Sequence, residues 1–105
     1  MISDDLLDRV TRRIVDAARP ERVILFGSSA RGDGGEDSDV DLLVVLKHVG
    51  SRHAEIVKLY EALGDLRVPA DILVYSEQEI EEWGHLAGST MYEALVESKV
   101  LYDAA

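Results

Sequence analysis

Between residues 4 and 18 the apolar positions Leu6, Leu7, Val10, Ile14 and Ala17 recur at helical spacing, with charged residues on the other face. Ser3 stands where an N-cap would, Asp4 and Asp5 occupy the first turn, where carboxylates meet the positive helix end, and Pro20 lies beyond the last turn. The pattern predicts an amphipathic opening helix. It then changes period. "RVILF", residues 22 to 26, is a short β-branched and aromatic run ending at Gly27, and reads as a strand. Turn residues from Gly32 to Glu36 separate it from "DVDLLVVL", residues 39 to 46, whose length and valine content predict a mostly buried strand at the centre of a sheet.

Helical spacing returns after Ser51, a second cap, with Ile56, Leu59, Tyr60 and Leu63 on one face and Gly64 near the end. "RVPADILVY", residues 67 to 75, predicts a third strand, and Pro69, which cannot donate to a ladder, puts it at an edge or marks its start. Ser76 and Glu79 have the spacing of a capping box for a helix through Trp83. The pattern predicts a last helix carrying Met91, Leu95 and Val96 with Ser89 as its cap, and a short edge strand at "VLY", residues 100 to 102. Trp83, Met91, Tyr92 and Leu95 suit either the core or an interface, and the core is the favoured reading. This order predicts an α/β (α+β) fold with a small mixed sheet of roughly three or four strands flanked by about four helices. The 105 residues fit a single domain, 1–105.

Composition agrees with a folded chain: 47% of residues are hydrophobic and 30% charged. The balance of 21 acids against 11 bases, a net charge of −10, repels a phosphate backbone and disfavours a long nucleic-acid ligand. Without cysteine there is no disulfide and no thiolate zinc site, and His48, His53 and His85 lack metal-ligand spacing, so any metal would be held by oxygen. No membrane anchor or secretory leader is evident in the sequence, which predicts a soluble, cytoplasmic protein. The acidic run "EQEIEE", residues 77 to 82, reads as a solvated helix face.

Candidate chemistry lies in "GSSARGDGGEDSDVDLL", residues 27 to 43. Strand side chains alternate, so Asp39 and Asp41 point to one face about 7 Å apart while Val40, Leu42 and Val44 take the other. Two carboxylates carried toward a core disfavour each other's ionisation and require a cation, a basic partner or water, and a hard divalent ion satisfies both. Asp71 repeats the oddity inside "ADILV", on a strand that could lie beside the second. Magnesium, held by few carboxylates with water and substrate phosphate completing its shell, matches this donor set. Gly27 and Ser28, at a strand end, allow backbone N–H groups and a hydroxyl to approach a polyphosphate. Read singly, each has an ordinary explanation: Asp39 or Asp41 as a turn cap, Gly27 and Ser28 as a plain loop, Asp71 as an exposed edge residue. Four residues fixed in position, each at about 6% frequency, are expected by chance in roughly one chain in a thousand of this length.

"GS", ten intervening residues and "DVD" resemble the signature of the polymerase-beta-like nucleotidyltransferase superfamily, and "GSSARGD" with "SDVDLLV" resembles its minimal branch. The helix and strand order, the aspartate of "ADILV" and the closing "YEALVESKVLY" extend the resemblance over nearly the whole chain. The resemblance implies that Asp39 and Asp41 bind divalent metal, two Mg²⁺ ions in the family, and that Asp71 completes the site and helps activate an acceptor hydroxyl. It implies that Gly27 and Ser28 hold the β- and γ-phosphates of ATP, and it gives Arg31, in the matching "ARG", a phosphate or partner contact, although a solvated arginine is the ordinary alternative. Ser38 starts the strand or orients Asp39, and Ser29 stands where relatives carry basic or aromatic residues, which leaves the acceptor open.

The resemblance to the minimal branch implies a partner, commonly a separately encoded helical HEPN toxin, for which the nucleotidyltransferase is the antitoxin and to whose tyrosine it transfers AMP from ATP. The expected activity is therefore protein adenylyl transfer to such a partner. The alternative is an antitoxin that neutralises its partner by binding alone. Transfer to a small molecule ranks below both, because so short a chain leaves few side chains for a second pocket.

Overall fold

The computed structural model describes residues 3–27, 40–84, 95–96 and 98–104 of the chain. Helix α1 (Asp4–Ala18) starts where Ser3 accepts a hydrogen bond from the Leu6 N–H at 3.2 Å, and ends at Arg19, whose left-handed backbone (φ 47°) returns its N–H to the Val15 carbonyl. Strand β1 (Arg22–Phe26) leads to Gly27, and β2 (Val40–Leu46) is buried along almost its whole length. Helix α2 (Arg52–Leu63) is capped by the Ser51 hydroxyl. It tightens into a 3₁₀ turn over Gly64–Leu66, and the left-handed residue that releases the chain is Arg67 (φ 52°), while Gly64 stays helical.

Strand β3 (Ala70–Ser76) starts after Pro69, three residues later than the apolar run begins, because the left-handed Arg67 and the donorless proline precede it. Helix α3 (Glu77–Trp83) carries the expected capping box, with the Glu79 N–H donating to Ser76 Oγ at 3.1 Å and the Ser76 N–H to Glu79 Oε1 at 3.0 Å. Strand β4 (Ser98–Asp103) is longer than the "VLY" core that predicts it. Residues 95 and 96 are helical, and the rest of the helix expected from Ser89 lies outside the described residues.

The sheet is mixed, in the order β3-β2-β1-β4, with β1 antiparallel to β2 and β4, and β2 parallel to β3. Pro69 therefore precedes an edge strand, and "DLLVVL" lies inside the sheet, as expected. On one face Leu7, Val10 and Ile14 of α1 and Leu59 and Leu63 of α2 pack on Val23, Leu25, Leu42, Val44, Ile72 and Val74. On the other, Ile80 of α3 joins Ile24, Leu43 and Val45, with Phe26, Leu73, Tyr75 and Leu95 around them.

Burying so much apolar area on one face supplies most of the driving force for the fold. Trp83 corrects a core assignment: it is 51% exposed, because in a helix of two turns the inward position belongs to Ile80 and Trp83 falls on the last residue. Leu95 does pack against the sheet, and Met91 and Tyr92 lie outside the described residues. No helix among the described residues is long and apolar enough to cross a membrane.

Polar links tie the layers together. Arg13 of α1 donates to both carboxylate oxygens of Asp65 and to the Ala62 carbonyl. Arg52 of α2 donates from Nε to the Val74 carbonyl at 2.8 Å and from Nη2 to Glu79, and its guanidinium lies over the Tyr75 ring, 5.2 Å from the centroid.

Candidate active site

The strand register assembles the candidate residues. Asp41 is the second residue of β2, and its partners are Phe26 on antiparallel β1 and Asp71 on parallel β3. Residues paired across a sheet share a face, so Phe26, Asp41 and Asp71 form one row across three strands, with neighbouring strands about 4.8 Å apart. The next row on this face is Ile24, Leu43 and Leu73, the floor of the smaller cluster, while Val40 and Leu42 turn to the larger one. The carboxylates thus stand at the rim of an apolar surface, at the end of the sheet where β1 finishes and β2 and β3 begin.

Gly27 is fitted to this rim. Its φ of +68° is a conformation that side chains rarely adopt, and a Cβ there would stand 2.8 Å from Asp41 Oδ2. Glycine is required twice, for the backbone turn and for the approach of the carboxylate. Asp41 is half-buried and Asp71 is exposed on the edge strand.

Two further contacts fix the start of β3. The Val40 N–H donates to the Pro69 carbonyl at 2.9 Å on the inner side. On the outer side the Tyr60 hydroxyl donates to the Ala70 carbonyl at 2.9 Å and accepts from the Ile72 N–H at 3.2 Å, on either side of Asp71. Sequence reasoning placed Tyr60 only on the apolar face of its helix, and no sequence signal marked its hydroxyl as an edge partner.

Of the residues singled out in the sequence, the structure brings Gly27, Asp41 and Asp71 together. Ser28, Arg31, Ser38 and Asp39 lie outside the described residues. No cluster of three or more His, Cys, Asp or Glu side chains with metal-holding geometry occurs among the described residues. The donor set nevertheless fits a hard cation: two carboxylates on one face of adjacent strands offer oxygen ligands, with solvent access for water and phosphate to complete a shell. Beside them the Gly27 turn leaves the backbone open to approach by an anion.

Comparison with known proteins bears on the family and the fold. The family described as "Nucleotidyltransferase domain" matches residues 7–101. A stretch of 29 residues is 62% identical to the Methanocaldococcus jannaschii protein named "Putative protein adenylyltransferase MJ0141", and spans 28% of this chain and 29% of that protein's length. The fold is shared with a Sulfolobus solfataricus protein described as a "putative nucleotidyltransferase" (TM-score 0.67, 20% identity, 95% of this chain and 79% of that one). It is also shared with a chain of a toxin-antitoxin complex solved with AMP-PNP (TM-score 0.64, 17% identity, 91% and 73%) and with a chain of a mutant toxin-antitoxin MntA-HpeT (TM-score 0.52, 17% identity, 97% and 74%). With the family match running from the first helix into the last strand, and with paired carboxylates and a tight glycine at the strand ends, this chain belongs to the nucleotidyltransferase domain family.

Proposed function

We propose that the chain is a single catalytic domain, 1–105, that transfers AMP from ATP to a hydroxyl of a partner protein, and that the acceptor is a tyrosine of a helical HEPN-type toxin it silences. The observation that carries this reading is the register pairing of Asp41 with Asp71 beside the left-handed Gly27. The toxin-antitoxin complexes that share the fold, and the adenylyltransferase name of the relative, support the choice of acceptor. ATP as donor suits a cytoplasmic setting.

Asp41, Asp71 and Asp39 are the residues that would hold Mg²⁺, one ion or two. When bound, the metal supplies charge neutralisation on the triphosphate and polarises the reacting phosphoryl group. The Gly27 turn brings backbone close to the phosphates, with Ser28 adding a hydroxyl and Arg31 a positive charge. In the transfer, the acceptor oxygen forms a bond to the α-phosphorus and the bond from that phosphorus to the bridging oxygen of pyrophosphate breaks. Asp71, exposed at the edge, receives the proton of the acceptor hydroxyl. The chain's net charge of −10 favours encounter with a basic partner.

Intact-mass spectrometry of the chain co-purified with its cellular partner tests the proposal, before and after ATP and Mg²⁺, with Asp41→Asn alongside. A mass gain of one AMP on the partner, lost in the variant, is the expected result. A stable complex with no mass gain would replace transfer by neutralisation through binding alone.

A further inference from the structure

We infer that Tyr60 is a positioning residue for Asp71, substituting for a missing neighbour strand at the point where the edge strand carries its carboxylate into the site. The inference rests on the reading that Asp71 helps to hold the divalent cation.

β3 is an edge strand, paired with β2 on one side only. Alternate residues of a strand turn their backbone groups to opposite sides, so those of Ala70 and Ile72 face away from β2. An edge left to water is free to fray, and the first residues of a strand fray first. Here both outward groups flanking Asp71 meet one hydroxyl: Tyr60 donates to the Ala70 carbonyl at 2.9 Å and accepts from the Ile72 N–H at 3.2 Å. A hydroxyl has one proton to give and lone pairs to receive, so a single side chain satisfies a donor and an acceptor at once.

Tyr60 is itself exposed, but it sits on α2 beside Leu59 and Leu63, whose buried side chains join Ile72 and Val74 of β3 in the core and hold the helix along the edge. On the inner side the Val40 to Pro69 bond fixes the same segment. Asp71 is thereby held between two strand positions that cannot shift independently, opposite Asp41. An exposed carboxylate has no packing of its own to fix it, and its backbone is what sets its place. Arg52, which bonds the Val74 carbonyl further along the same edge, serves as a contact of similar kind remote from the site.

Mn²⁺ binding to the full chain, followed by EPR, tests this with Tyr60→Phe, Asp71→Asn and Arg52→Gln, together with thermal melts and NMR amide exchange at Ile72. Loss of a direct outer partner of a metal ligand weakens metal binding by about ten-fold or more; Tyr60 holds only the backbone on either side of Asp71, so Tyr60→Phe is expected to weaken Mn²⁺ binding by about three-fold, with faster exchange at Ile72. Arg52→Gln is expected to lower the melting temperature and leave Mn²⁺ affinity unchanged. If Asp71→Asn weakens Mn²⁺ and Tyr60→Phe does not, the positioning role is overturned while the metal reading stands. If Asp71→Asn itself leaves Mn²⁺ binding unchanged, the metal reading falls, and the inference with it. An equal loss in Arg52→Gln would reduce Tyr60 to a general edge contact and overturn its specific role.

Discussion

Gly27→Ala separates what the fold needs at this turn from what the site needs. Alanine at a φ of +68° pays the left-handed penalty of about 1–2 kcal/mol. It also narrows the unfolded ensemble, which offsets about 0.4–1 kcal/mol, leaving a net loss of stability of about 1 kcal/mol. The new Cβ begins 2.8 Å from Asp41 Oδ2, where ordinary contact starts at 3.4 Å, so the carboxylate must retreat by about 0.6 Å. It can do so by rotating its short side chain, which limits the cost to the fold but moves a ligand of the proposed cation. Displacements approaching 1 Å at a reacting centre cost on the order of 100-fold, so Mn²⁺ affinity and AMP transfer should each fall by at least about ten-fold. Urea denaturation gives the first quantity, and EPR titration of Mn²⁺ without nucleotide gives the second free of any phosphate contact. An alanine variant that unfolds with the expected small loss yet binds Mn²⁺ like the parent would refute the coupling of Gly27 to Asp41.

Two other expectations concern the fold. Burial would push the Glu79 carboxyl up, but the Ser76 N–H and the Arg52 guanidinium outweigh it and hold it below the ordinary range. Its stabilisation is thus complete above the ordinary value near 4.5 and is lost as pH falls through the lowered folded-state value; urea melts of the parent and Glu79→Gln from about pH 7 to about pH 3 should converge, and a constant gap would argue against it. Leu59, fully buried between α2 and the sheet, should cost about 3 kcal/mol as Leu59→Ala, read by denaturant midpoint; a loss under about 1 kcal/mol would mean that the α2 contact with the sheet is loose.

Much of this protein is written locally. The period of the apolar residues, the serine caps at Ser3, Ser51 and Ser76 and the glycine after "RVILF" set the elements where they are found, since a cap or a φ-permissive residue acts within a few positions of itself. The oddity of Asp41 and Asp71 inside apolar runs was likewise visible, because a charge in a buried strand conflicts with burial whatever the topology. The inner place of β2 and the edge place of β3 were legible, but strand direction and register were not: that β3 runs parallel to β2 with Asp71 directly beside Asp41 depends on how two helices cover one face, a contest among non-local contacts. The same holds for Trp83, whose exposure follows from where its short helix stops against the sheet, and for the Tyr60 hydroxyl, which finds its partners only once α2 lies along the edge. Local chemistry chose which residues carry the site, and tertiary packing decided which of them meet, because hydrogen-bonding and rotamer preferences act over a turn while register is fixed by burial across the whole sheet.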